Sequence, residues 1–349
     1  MERDSQIRWI RTDTVLLTAG LLLLAWLLGG VLLLVFAAVL IAVGLDGLAN
    51  EVARRTSLPR GWSLVVVTAG VVVLLAGVGG LTMPQFIQQF SELRDSLVEF
   101  VEDAREYFGT AAVQVEELLG DEDDDNDENA EMMGTFEDIV AQAAAWGMTT
   151  LGALSSLVVL IVLAMFLAAD PALYRYGFLH LVPPARRELA DNTLSALAYA
   201  LRWWFLGQLV SMLLLGVTVG LGLLVLGVDL WLALGVLTAL LTFIPFLGPL
   251  IAMVPIVIVG FAEGIETGII VTIGYLVIQN VEGNVVVPMI QHKAVNLAPA
   301  LLISLQVLFS VAFGVVGLIL AAPLTVVAMV AVKKLYIEAA LGDHEAAEV

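Results

Sequence analysis

Between Tyr275 and Pro288 the chain reads YLVIQNVEGNVVVP, an apolar stretch that carries Gln279, Asn280, Glu282 and Asn284. Side chains three and four residues apart meet on one face of a helix. Gln279, Glu282 and Gly283 therefore share a face, and Asn280 and Asn284 share the adjacent one. A carboxylate near the centre of a membrane costs about 2.5–3.5 kcal/mol on insertion scales, with aspartate as the guide. It persists there only if it is paired, protonated or functional. The functional reading makes Glu282 a carrier of a proton or cation, with the amides orienting a substrate or completing an ion's shell. The structural alternative is that Glu282 caps a helix break near the cytoplasmic end and reaches water. Gln208, six residues after Arg202, is a further candidate ligand, although a helix–helix hydrogen bond is the ordinary role of such a glutamine.

Backbone is the second source of chemistry. FIPFLGPLIAMVP, residues 243–255, sets three prolines and a glycine in an unbroken apolar run. Proline removes a helical hydrogen bond and clashes with the preceding turn, at about 3 kcal/mol. Pro245, Gly248 and Pro249 together end a helix rather than bend it, and Pro255 interrupts the run beyond them. N–H and C=O groups freed at membrane depth are tolerated only where they face protein or a water-filled cavity, and there they can ligate. The run is read as a hairpin that descends to Phe246, turns at Leu247–Pro249 and returns to Phe261. A second run, 299–332, is too long for one span and holds Gly314, Gly317 and Pro323, so it too is expected to break and return.

Composition dictates the elements that position these groups. Of 349 residues, 60% are hydrophobic and 14% charged, against nearer half and a quarter in soluble domains. Several apolar runs exceed the roughly 20 residues that span a bilayer as a helix, and the alternating pattern of a membrane barrel is absent. The fold class is all-α and polytopic, with about five to eight membrane helices. The run from Thr14 to Leu45 is far longer than a signal-peptide core. It is read as two helices, 13–29 and 30–47, parted at Gly29–Gly30. Residues 62–81 form a third span.

The layout is then N-terminal membrane helices over 1–81, an extracellular acidic helical segment over 82–147, and a membrane helix with cytoplasmic connecting helices over 148–204. Asp170–Pro171 ends that membrane helix, and Trp203 and Trp204 are read as an interfacial belt. A span plus hairpin over 205–262 is succeeded by another over 263–335, with a cytoplasmic tail over 336–349. Arg3, Arg8, Arg11, Arg54, Arg55 and Arg60 near the start, and Lys333 and Lys334 near the end, place both termini in the cytoplasm by the positive-inside rule. The first hairpin then dips from outside and the second from inside. This is an inverted-topology repeat with paired interrupted segments, the sequence pointer to a transporter's binding site. Eight simple crossings satisfy the same parity.

Within 82–147, Phe86, Phe90, Leu93, Leu97, Phe100, Ala104 and Tyr107 recur at spacings of four and three, a heptad seam for a partner helix or a neighbouring subunit. The run DEDDDNDE, 121–128, reads as a solvated loop. A calcium loop needs glycine at its sixth position, which is Asn126 here. Net charge is −19, and setting aside the eight acids among 121–131 still leaves −11. That balance argues against nucleic acid as a partner and suits a salty habitat.

No cysteine is present, so a disulfide frame, a thiol nucleophile and a cysteine metal site are excluded. No GxxxxGK[ST], HExxH or GxSxG motif occurs. The nearest, HEAAE from His344, lies in the charged tail, and His180 and His292 have no serine or metal partner by spacing. The chain is not expected to be an enzyme, nor to carry a cofactor or metal. Gly216-x-x-x-Gly220 permits close helix packing. Its alternative is ordinary glycine in a membrane helix.

FIPFLGP (243–249), QNVEGNVVVPMIQHKAVNLAP (279–299), FGVVGLILAAPL (313–324) and LRWWFLGQ (201–208) resemble the autoinducer-2 exporter family of membrane transporters. The likeness runs over most of the chain from residue 14 and is weakest in the acidic segment. It implies a secondary transporter of the plasma membrane, acting on a small molecule of the autoinducer-2 kind or, as in relatives linked to sodium/proton antiport, on a cation. It also implies a homo-oligomer, with a pentamer as one form. The acid-rich insertion at 121–131 departs from typical members. A passive channel or an oligomeric scaffold is the alternative of another class.

Overall fold

The computed structural model describes residues 27–73, Gly77, 88–89, 91–92, 150–286 and 298–343, with the backbone alone for 150–158 and Val286. The first expected helix up to residue 26, the heptad positions from Phe86 to Tyr107, the acidic loop at 121–131 and the His292–Lys293 segment lie outside these residues. Among the described residues the chain is helical throughout, with no strand. By length and composition, three helical stretches are long and apolar enough to cross a membrane: Gly29–Arg55, Pro184–Val225 and Pro299–Glu338. A bent pair, Val159–Ala169 with Pro171–His180, brings the number to four if it is one span.

The chain divides into two compact units. The first gathers the described residues over 27–68, 159–205 and 298–343. Its elements are α1 (Gly29–Arg55), most of α2 (Arg60–Val73), the second half of α3 (Thr150–Ala169), α4 (Pro171–His180), the first half of α5 (Arg187–Val225) and the helical run Pro299–Ala331. Ala38, Ala42, Leu45 and Ala49 of α1 pack with Leu64, Ala164 and Ala168. Small residues on α1 let its neighbours close in. A β-carbon at Gly44 would meet the Phe205 ring at 2.5 Å, and one at Gly29 would meet Phe313 at 2.4 Å. α1 begins at Gly29, near the expected junction, but runs on to Arg55 rather than ending at residue 47, because nothing between breaks it.

One ionic cluster ties this unit. Asp46 accepts from Arg60 at 2.7 Å, from Arg202 at 3.0 Å and from Asn50 at 2.9 Å. Arg60 also donates to the Ala168 carbonyl. Asp170 accepts from the Leu173 N–H as the N-cap of α4, and Pro171 fills the first helical position, so α3 stops and α4 leaves it at 80°. Trp204 is 1% exposed. This corrects the reading of Trp203 and Trp204 as an interfacial belt: adjacent helix positions lie about 100° apart, and Trp204 takes the inward one.

The helical run from Pro299 onward is continuous by hydrogen bonding, yet Gly314 inside it has φ 63° and ψ −149°. A β-carbon at Gly317 would lie 2.1 Å from the Phe309 carbonyl oxygen. In a straight helix those residues are about 12 Å apart along the axis, so the chain reverses at Gly314. Pro323 is therefore not a break: it is buried inside the returning helix. We call the two arms α9 (299–313) and α10 (315–331).

The second unit holds residues 206–286, the first half of α3 over 150–158 and the described residues between 69 and 92. After the second half of α5 come α6 (Trp231–Thr242), α7 (Leu247–Ala262) and α8 (Ile265–Val281), ending in a π turn over Glu282–Val286. Val219, Leu223, Leu234, Ile256, Val259, Val271 and Tyr275 form its core. Gly216 and Gly220 do bring helices together: a β-carbon at Gly235 on α6 would sit 2.9 Å from Gly220 Cα, and one at Gly216 would sit 2.6 Å from Ala239 Cβ.

Candidate functional site

α6 and α7 are 12 and 16 residues long, or about 18 and 24 Å at helical rise, and each falls short of a 30 Å hydrocarbon core. The reversal between them lies at 243–246, not at Leu247–Pro249 as the prolines suggest. Leu247 donates to the Pro245 carbonyl at 2.8 Å across Phe246, whose φ of 65° and ψ of −56° mark the rarer, positive-φ γ-turn. Among the described residues Phe246 alone has positive φ without being glycine. Gly248 and Pro249 fall in the first turn of α7. There proline's missing N–H costs nothing, since those donors have no intrahelical partner. Gly248 is needed for another reason: a β-carbon there would lie 1.7 Å from the Leu241 carbonyl oxygen. Pro255 does not interrupt α7, which continues through it.

The break strands the Thr242 carbonyl, which would otherwise accept from residue 246. Gln208 Nε2 donates to it at 2.5 Å, both residues being buried. One turn further along α5, Ser211 is buried and its hydroxyl lies near the Glu282 carboxyl. Glu282 is 9% exposed and stands where α8 gives way to the π turn. None of the ion pairs among the described residues involves it. Tyr275, one face-repeat before Glu282, donates from its hydroxyl to the Pro249 carbonyl at 2.6 Å and accepts from Gln279 Nε2 at 3.1 Å. A polar seam results. Gln208 and Ser211 come from α5, Thr242 from the end of α6, Pro249 from the start of α7, and Tyr275, Gln279 and Glu282 from α8.

The seam includes Glu282, Gln279 and Gln208 from the sequence reading, and it omits the two asparagines. Asn280 Nδ2 donates to the Leu276 carbonyl at 2.9 Å and Asn284 Nδ2 to that of Asn280 at 3.0 Å; both are exposed and bond to their own helix. Pro323 belongs to the first unit. Sequence reasoning misses Ser211, Thr242 and Tyr275. A signal exists for two of them: Ser211 lies three residues from Gln208 on one helix face, and Tyr275 precedes Gln279 by four. The seam is also off-centre. Counted along α8 from Ile265, Glu282 lies 17 residues in, or about 26 Å, nearer the far end of the helix than its middle.

Chemically the seam offers a carboxyl, a hydroxyl, a phenol and amides around a backbone interruption. Such a set can exchange a proton, hold a small hard cation through oxygens, or hydrogen-bond a polar solute. Among the described residues no group of three or more histidine, cysteine, aspartate or glutamate side chains could hold a metal.

A family model described as AI-2E family transporter matches residues 15–337. The chain is 28% identical over 165 residues to "Putative transport protein YrrI" of Bacillus subtilis (strain 168), covering 47% of each chain. It is 30% identical over 143 residues to "Putative transport protein YueF" of the same organism, covering 41% of this chain and 39% of that one. The chain thus spans less than half the length of each of these relatives.

Proposed function

Because the chain belongs to the AI-2E transporter family, we propose that it is a secondary transporter which exports a small molecule of the autoinducer-2 kind across the plasma membrane. The seam around Glu282 would be its ligand pocket. The observation that carries this reading is Glu282 itself, a 9% exposed carboxyl beside Ser211 at a π turn. π turns inside or at the end of α-helices are rare and gather at functional sites. Among the described residues Glu282 has no ionic partner, and a charge held away from water in that way costs several kcal/mol. Binding and release of a ligand or coupling ion give that cost a use.

The chain has no nucleotide-binding motif, so an ion gradient is the driver proposed. The α6–α7 hairpin and the α9–α10 hairpin are the moving pair of an inverted repeat, dipping from outside and inside respectively, with both termini cytoplasmic. The two reversals support this reading by their likeness. Each packs a glycine, Gly248 or Gly317, onto a carbonyl seven or eight residues earlier. The oxygen-rich seam also favours a second reading, sodium/proton antiport, in which Glu282 alternately holds the two cations.

The test is flux in proteoliposomes, with autoinducer-2 or sodium as solute, under an imposed pH or sodium gradient. The wild type is expected to show saturable, gradient-driven flux. Glu282→Gln should lower it by about tenfold or more, equivalent to ~1.4 kcal/mol, while Asn284→Ala leaves it unchanged. Unchanged flux in Glu282→Gln would remove that residue from the mechanism. Flux that neither saturates nor tracks the gradient would make the protein a passive channel.

A further inference from the structure

α4 shows an apolar surface that the transport reading does not use. At 100° per residue, Leu173, Tyr174, Gly177, Phe178 and Leu181 (the last just past the helix end) fall in one stripe about 140° wide. Leu173 is 63% exposed, Tyr174 46%, Phe178 51% and Leu181 83%. The helix has no buried residue; Leu179, half-buried, lies opposite the stripe, Tyr176 is 67% exposed beside it, and Arg175 is the side chain that reaches α5. Arg175 Nε donates to Asp191 at 2.6 Å and its Nη2 to Ser195 at 2.6 Å, both acceptors on α5. Within this unit the stripe thus points away from α5.

Two observations say what covers it. First, α3 is a 20-residue apolar helix, long enough at about 30 Å to cross the hydrocarbon core, and α4 leaves its end at 80°. A helix at right angles to a spanning helix runs along the membrane surface. Second, α3 itself leaves apolar side chains exposed, among them Val159, Val162, Met165 and Phe166, as a helix facing lipid does. Arg186, exposed just beyond the end of α4, supplies a cation that complements anionic headgroups. Tyrosine suits that boundary, with its ring in the acyl region and its hydroxyl in water. In water, each of these side chains would forgo the burial that stabilises a Leu or Phe in an apolar medium.

We propose that α4 is an interfacial helix, with its Leu173–Tyr174–Phe178–Leu181 stripe bedded in the headgroup–acyl boundary of the bilayer at the end of α3. It anchors the elbow between α3 and α5, so that α5 is held at a set height by the Arg175–Asp191–Ser195 contact.

The chain has no native cysteine, so single nitroxides can be placed without background. The full-length protein is reconstituted in phosphatidylglycerol–phosphatidylethanolamine vesicles with a label at Leu173→Cys, Phe178→Cys, Leu181→Cys or, on the opposite face, Ala172→Cys. Collision with oxygen, which favours lipid, is compared with collision with a water-soluble nickel chelate. The oxygen-to-nickel ratio should be higher at the three stripe positions than at Ala172 by about tenfold, which corresponds to ~1.4 kcal/mol of partitioning. The labels should sit about 5–10 Å into the headgroup–acyl boundary. High nickel access along the stripe would mean it faces water, and exclusion of both relaxants would mean a protein covers it. Labels near the bilayer centre would make α3 and α4 one broken span. Each of these three results overturns the proposal. The stripe side chains are exposed, so loss of one variant leaves the other two to carry the test.

Discussion

At the scale of single residues, groups that hold the fold separate from groups held for use. Gly248 belongs to the first kind. A methyl group there would meet the Leu241 carbonyl at 1.7 Å, and backbone cannot step aside as a flexible side chain can. Gly248→Ala is expected to destabilise the protein by roughly 1–3 kcal/mol, as overpacking does. Gly274→Ala, in the middle of α8 with nothing within 4 Å, should be neutral or stabilising by up to about 1 kcal/mol. Thermal unfolding of the two variants in detergent checks the pair. Asp46 is likewise structural. Asp46→Asn leaves Arg60 and Arg202 without their shared anion and is expected to cost roughly 1–3 kcal/mol, since hydrogen bonds to charged groups are worth about that much. The same melts, with Arg60→Gln added as a double-mutant cycle, read it out. Glu282 and Gln208 can be picked out from the sequence because a charged or amide side chain in an apolar run must be explained. Ser211 and Tyr275 stand out less, because serine and tyrosine are ordinary in membrane helices and only the fold brings them to Glu282 and Pro249. Asn280 and Asn284 mislead because an exposed asparagine can satisfy itself on the carbonyl four residues before it.

Elements are legible in kind and less so in place. The prolines announce a broken helix with its turn at Leu247–Pro249, and a break is found close by, between Thr242 and Leu247. Its position is three or four residues earlier than their spacing suggests, because proline is welcome in a helix's first turn and unwelcome after it. The second reversal falls at Gly314, not Pro323, for a related reason: glycine reaches φ 63° at no steric cost. Gly314→Ala should strain that turn by roughly 1–3 kcal/mol and lower the unfolding midpoint, and Gly30→Ala, on the open side of α1, should not. Phe246 is the counterpart in the first hairpin, except that an L-residue occupies the unfavourable conformation. Phe246→Gly therefore relieves the backbone at the turn. If that strain is used in moving the hairpin, the variant should be at least as stable as the wild type in detergent melts yet slower in proteoliposome flux. The inward side of Trp204 is hidden for a different reason. Adjacent tryptophans look like a membrane belt in sequence, and only packing shows which of the two is buried.

At the scale of the molecule, composition alone identifies a helical membrane protein, and the family match over residues 15–337 makes it a member of a transporter family. The seam of the second unit supplies the remainder of the proposal: polar groups drawn from four helices around a backbone interruption that lipid alone would not tolerate. The direct measurement of that claim is the water access of the seam. With no native cysteine in the chain, Ser211→Cys is a lone thiol beside Glu282. In sealed, oriented proteoliposomes it should react with a membrane-impermeant thiol reagent, and the reacting side should change when the imposed sodium or proton gradient is reversed. A thiol that reacts from neither side under any gradient, in protein that still melts like the wild type, would contradict the claim that the seam is a ligand pocket.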